Sequence, residues 1–313
     1  MIIRLVRGMG AMAFSVLLVT AAATPASATE VQQNPPNWGL DRIDQRAGLD
    51  QLYHYETDAK DVTVYVIDSG VDAAHPDFGG RVKPGKDFLN GGTDTSDTNG
   101  HGTYLAGVAA SRTFGVAKAA QIVPIRVIDA QGGGATDKII AGIDWVTQNA
   151  QQPAVAVLGI GGAPNDQLDA AVRALAAVVP VALPAGGEAT DAGKFSPGRV
   201  TEALTVGGTD ASDQVGPTSN YGEVLDLFAP GVDVPGPNAG GSGAKVLSGT
   251  SSAAAHVAGV AALYRALHPA VSAADVAKAL VDVASVDVLT GVHEGTANRL
   301  LHSLPAASAG GLR

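Results

Sequence analysis

The chain has 313 residues, with 30 acidic side chains against 20 basic ones for a formal charge of −10, and it contains no cysteine. That acidity argues against nucleic acid and anionic membrane surfaces as partners, and without cysteine neither disulfides nor thiol catalysis is available. A hydrophobic content of 46% with 40 glycines describes a globular chain rich in tight turns, not a disordered one.

The amino terminus reads as an export signal. Arg4 and Arg7 precede an apolar run, Ala11 to Ala23, that only Ser15 and Thr20 interrupt, and Ala26-Ser27-Ala28 is a small-x-small cleavage site. The run is too short to span a bilayer. Residues 1–28 are therefore expected to be removed and the remainder secreted to the extracellular space. Removal leaves 285 residues and moves the formal charge to −12, since two arginines and no acid are lost. That length is enough for one large domain or two small ones, and 303–313 reads as a small, polar, flexible tail.

Apolar, β-branched runs follow in chain order: Val62 to Ile67, Ile122 to Ile128, Ala154 to Ile160, Val179 to Leu183 and Leu204 to Gly207. Each has the look of a buried strand. Between them Ile139, Ile140, Ile143 and Val146 form one helical stripe, and Leu168, Val172, Leu175 and Val178 another. Ser251 opens a long apolar helical stretch, Ala253 to Leu267, stopped by Pro269. This alternation predicts an α/β fold with a mostly parallel central sheet and helices on both faces. Sites in such folds gather at the carboxyl ends of the strands, and Asp68 follows the first run directly.

Three patches then stand out: Val66-Ile67-Asp68-Ser69-Gly70, Asn99-Gly100-His101-Gly102-Thr103, and Ser248-Gly249-Thr250-Ser251 running on to His256-Val257-Ala258-Gly259. A serine hydroxyl becomes a nucleophile when a histidine takes its proton and a buried carboxylate fixes that histidine's tautomer. Singly the patches carry little. Asp-Ser-Gly is good turn chemistry, and His101 and Ser251 could serve a helix cap. Jointly, in the order Asp…His…Ser, they match the order used by subtilisin.

With these patches the chain resembles the subtilases, closest in pattern to the proteinase K-like branch. Asn37-Trp38-Gly39-Leu40-Asp41-Arg42-Ile43, Gly115-Val116-Ala117-Lys118, Ser219-Asn220-Tyr221-Gly222 and Leu225 to Gly231 extend the likeness over about residues 36 to 300. The resemblance implies a subtilisin-like three-layer fold and makes 29–302 a catalytic domain, a serine endopeptidase that acts as a monomer on peptide or protein substrates. Asp68 would orient, His101 act as base and Ser251 attack. Substrate would add as a strand between Gly132-Gly133-Gly134-Ala135 and Gly159-Ile160-Gly161, beside a small-walled apolar pocket. No cofactor is expected for catalysis. A structural calcium ion would sit on Asp226 with the carbonyls of Thr201 and Ala203, and Ser196-Pro197 would be cis. Asp72, His75 and Asp77 read as structural.

The chain also departs from the family. Gly187 stands where relatives place an oxyanion-stabilising asparagine, which predicts weakened catalysis. Gly159 replaces a serine, so a side-chain wall should be lost. Tyr104 stands for a second histidine and is expected to press on His101 one helical turn away. Ser252 stands for methionine, and Ala255 for a proline that would pre-set the helix start. Few residues separate Ala28 from Asn37, where relatives carry a folding pro-domain, an omission in keeping with a weak enzyme. The alternative is an inactive pseudoprotease that binds peptides or a protein partner in the groove.

Overall fold

The computed structural model describes residues 29–303; the signal at 1–28 and the tail from 304 onward lie outside them. Nine strands form the central sheet, in the order Ser285–Val286, Arg299–Leu300, Leu227–Pro230, Leu204–Thr209, Val181–Pro184, Ala154–Leu158, Thr63–Asp68, Gln121–Arg126 and Lys86–Asp87. All neighbours are parallel except the first pair. Every expected strand is present, with ends shifted by one or two residues. This is the α/β architecture expected from the alternating pattern.

Both sheet faces are covered, and the period of two along the strands decides which residue serves which face. Val64, Val66, Val155 and Val157 join one buried cluster, with Leu105, Val108, Ala254 and Val257 from helices His101–Ala110 and Thr250–Leu267. Tyr65, Ile67, Ala156 and Leu158 join the other. There they meet Ile139, Ile143 and Val146 of helix Thr136–Asn149 and Leu168, Val172 and Leu175 of helix Asp166–Ala176. Asp68 lies two residues beyond Val66, so its side chain turns toward the face that carries the His101 helix.

Val178, expected within the second helical stripe, falls just past the end of helix Asp166–Ala176 but still packs on that cluster. Ser196-Pro197 is cis, as expected, and so is Gln152-Pro153. Among the described residues no helix is long and apolar enough to cross a membrane.

Candidate active site

Asp68 ends its strand 1% exposed. Its Oδ1 accepts the Ser69 N–H at 2.7 Å, and its two oxygens lie 3.0 and 2.9 Å from His101 Nδ1. A carboxylate accepts only, so Nδ1 carries the proton and Nε2 keeps its lone pair. Burial by itself pulls the His101 pKa down. The charge and hydrogen bond of Asp68, with Asp97 behind them, outweigh it and leave the imidazole above its ordinary value.

Asp97 is a site residue that the sequence reading missed. Its carboxylate accepts from the backbone N–H groups of Asn99, Gly100 and Thr103 and from the hydroxyls of Ser69 and Thr103. It thus satisfies the free Thr103 donor in the first turn of the His101 helix and two donors just ahead of it, and ties that helix to the turn after Asp68. The available signal was an acid just ahead of a helix start.

Ser251 is the second residue of helix Thr250–Leu267, where unpaired N–H groups and the positive end of the helix gather. Just before it, Thr250 Oγ1 accepts the Gly186 N–H at 3.1 Å, which draws the loop carrying Gly187 up to Ser251. Asn220 fixes the rest of that loop. Its Nδ2 donates to the Ala185 carbonyl and its Oδ1 accepts from Glu188 N and Thr190 N. Gly186 is required here: it sits at φ +102°, and a Cβ would lie 2.4 Å from Asn220 Nδ2.

Two cavities share the wall Gly159-Ile160-Gly161. One, of about 350 Å³, is lined by Asp68 and His101, with Gly132 and Gly134 opposite. Gly133 instead accepts the Asp129 N–H at its carbonyl and donates its own N–H to Asp129 Oδ1, and the 132–134 segment is a bend and loop, not a strand. The other cavity, of about 240 Å³, is lined by Ser251, Gly187, Phe195 and Glu188. Backbone bonds between Gly162 and Ser196 close its far end. Asp68 and His101 therefore line one cavity and Ser251 the one that adjoins it at residues 159–161, although no hydrogen bond joins Ser251 to His101 among the described residues.

The expected apolar pocket and three of the departures look different in three dimensions. Glu188 puts a carboxylate on the wall of a pocket expected to be apolar, and its Oε2 accepts from Gly187 N at 2.8 Å and Asn220 Nδ2 at 2.9 Å. Gly159 does not merely remove a wall. A Cβ there would lie 2.0 Å from Asp68 Oδ2 and 2.8 Å from His101 Cε1, so the dyad occupies the space that a side chain would need. Tyr104 does not direct its hydroxyl at His101 but bonds Val234 and Ser252. Ala255 is the sixth helical residue and fully buried. Pre-setting of a first turn by proline therefore has no bearing there, and alanine favours the helix.

Thr201, Ala203 and Asp226 line a third cavity, of about 530 Å³, between helices Asp166–Ala176 and Ala273–Val283. Desolvation pushes the Asp226 carboxyl up to about 6, against the Thr205 N–H that it accepts at 2.8 Å and the charge of Arg299. Among the described residues no group of three or more acidic, histidine or cysteine side chains could hold a metal. One carboxylate with backbone carbonyls is a hard-oxygen donor set, which suits calcium rather than a transition metal. The Asp72–Asp77 stretch is structural: His75 Nδ1 accepts the Asp77 N–H, and Asp77 accepts from Thr113.

The model of the subtilase family matches residues 59–303. The chain is 43% identical over 288 residues to the alkaline serine exoprotease A of Vibrio alginolyticus, covering 91% of this chain and 54% of that one. It is 42% identical over 274 residues to the extracellular serine proteinase of Thermus sp. strain Rt41A, covering 87% and 67%. The chain thus spans about half the length of the first relative and two thirds of the second. The crystal structure of a cold adapted subtilisin-like serine proteinase superposes with a TM-score of 0.84 at 44% identity, covering 86% of this chain and 98% of that one.

Proposed function

The chain belongs to the subtilase family of subtilisin-like serine endopeptidases, and on that premise we propose that it is a secreted endopeptidase whose turnover is held down by Gly187. The observation that carries this reading is the Asp68–His101 pair at 2.9 Å, in a cavity that shares the wall Gly159-Ile160-Gly161 with the one lined by a serine at a helix N-terminus. Ser251 Oγ attacks the scissile carbonyl as His101 Nε2 takes its proton. Asp68 holds the tautomer and steadies the imidazolium, and His101 then protonates the leaving amine. Water, activated by the same histidine, releases the acyl group. Hydrogen bonds of this kind tighten when substrate binds, and the Ser251–His101 contact is expected to close in that way.

The oxyanion receives the Ser251 N–H but no side-chain donor from residue 187. Loss of the equivalent donor in subtilisin costs about 2.7–4 kcal/mol, a measured figure borrowed from that relative. The apolar export signal and the relative named extracellular support an extracellular site of action.

A second reading, a pseudoprotease that holds peptides without cutting them, draws on Gly187 and on the lack of a Ser251–His101 hydrogen bond among the described residues. A serine-directed fluorophosphonate separates the two, since it needs an activated serine and no peptide recognition. The parent chain is expected to be labelled and Ser251→Ala to remain unlabelled. An unlabelled parent would establish the pseudoprotease.

Asp226, with the carbonyls of Thr201 and Ala203, would hold a calcium ion that compensates a buried charge between two helices. Its contribution is stability, not catalysis. Binding only to the folded state, calcium at 100 times its Kd would add about 2.7 kcal/mol. A chelator is expected to lower Tm by several degrees, and Asp226→Ala to remove the calcium dependence. Identical melting with and without calcium would remove the site.

A further inference from the structure

We propose that Tyr104 and Ser252 form a positioning pair that sets the helix bearing His101 against the helix bearing Ser251. This rests on the reading that those two residues react together. Tyr104 lies one turn after His101 and Ser252 directly after Ser251, and they are 0% and 2% exposed. Tyr104 Oη donates to the Val234 carbonyl at 2.8 Å and lies 2.9 Å from Ser252 Oγ. A phenol has one proton, and Val234 receives it. Ser252 must therefore be the donor in the second bond, which gives a directed relay from Ser252 through Tyr104 to the Val234–Pro237 strand.

The relay continues beyond Ser252. The Ser252 carbonyl accepts from His256 Nδ1 at 2.9 Å, and His256 Nε2 lies 3.0 Å from Asn37 Nδ2. With Nδ1 carrying the proton, Nε2 accepts from the Asn37 amide. The residue beside the nucleophile is thus held at its hydroxyl by the base's helix and at its carbonyl by its own. Gly236 makes room for this arrangement, since a Cβ there would lie 2.7 Å from the Tyr104 ring.

Apolar packing already holds the two helices together through Leu105, Val108, Ala254 and Val257. The fold therefore does not need two buried hydroxyls at this contact. What a directed bond adds is a fixed rotation and depth of one helix against the other. Those are the coordinates that set the approach of His101 to Ser251, to which reaction rates are steeply sensitive.

The test is a double-mutant cycle on the full secreted chain with Tyr104→Phe, Ser252→Ala and both changes. It reads peptide hydrolysis and fluorophosphonate labelling well below each variant's Tm. Each single variant is expected to lower kcat and the labelling rate about tenfold, with KM within about twofold, because positioning acts on the reacting atoms and not on ground-state binding. The double variant should be no slower than Tyr104→Phe alone, since that change already removes the bond to Ser252 as well as the one to Val234. Unchanged kcat and labelling in both folded singles, or losses that simply multiply in the double, would overturn the pair. If one single variant fails to fold, the other decides on kcat and labelling alone. A parent chain that takes no label at all would instead remove the endopeptidase reading on which the pair rests.

Discussion

Asp68→Asn is expected to lower kcat about 10⁴-fold with little change in KM, and to move the acid limb of activity to lower pH. The size follows from the tautomer. Asp68 accepts from His101 Nδ1 through both oxygens, whereas an asparagine amide can offer a donor there and favour the tautomer protonated at Nε2. That nitrogen could then not take the Ser251 proton. The direction of the pH change follows from charge. The base works only when neutral, so activity is present above the His101 pKa and is lost as pH falls through it. Burial lowers that pKa while Asp68 raises it, and the balance is a raised value. The parent's acid midpoint should therefore lie above the ordinary histidine value near 6.5. Without the Asp68 charge desolvation is left largely unopposed, and the midpoint should fall below that value. A pH–rate profile of kcat/KM on a small peptide measures both. A loss under tenfold with an unmoved limb would remove Asp68 from the reaction.

Much of this arrangement was legible because the central strands are buried on both faces and therefore read as unbroken apolar runs. The two outer helices were legible for the opposite reason, since each keeps one wet face and shows a stripe. The helix His101–Ala110 gave no such signal. It is buried on every side after its first residue, so no polar face marks its period. Helix Ala273–Val283 buries only Ala273, Val276 and Leu280, too few to announce a stripe. The strands Lys86–Asp87, Ser285–Val286 and Arg299–Leu300 have two residues each and show no alternation at all.

The site divides in the same way. Asp68, His101 and Ser251 sit in compact local patches, so chain order and motif were enough to single them out. Glu188 and Asn220 act together on one loop from 32 residues apart, and Tyr104 meets Ser252 across 148. Such pairings are set by the sheet's crossovers and leave no local trace. Gly159 shows the limit most plainly. Its sequence neighbourhood suggested a missing wall, while the fold fills that space with the Asp68–His101 pair.

Gly187→Asn is expected to raise kcat toward 10²-fold with KM held within about twofold. The backbone allows the change. Gly187 is not in the left-handed region, and a Cβ there would meet nothing within 4 Å. The loop is already held for it by Thr250, Asn220 and the Glu188 carboxylate on Gly187 N. The new amide would meet an oxyanion that exists only in the tetrahedral transition state, and contacts of that kind raise turnover without tightening substrate binding. Glu188 works against the gain, because a negative charge on the same pocket wall opposes a developing oxyanion. Glu188→Gln should therefore add to kcat in the asparagine background, and more at low ionic strength than at high. Burst kinetics on an activated ester would place the gain in the chemical step rather than in product release. If Gly187→Asn folds, takes fluorophosphonate at the parent's rate and hydrolyses peptide no faster, residue 187 does not limit this enzyme. The approach of His101 to Ser251 would then be the place to look for what does.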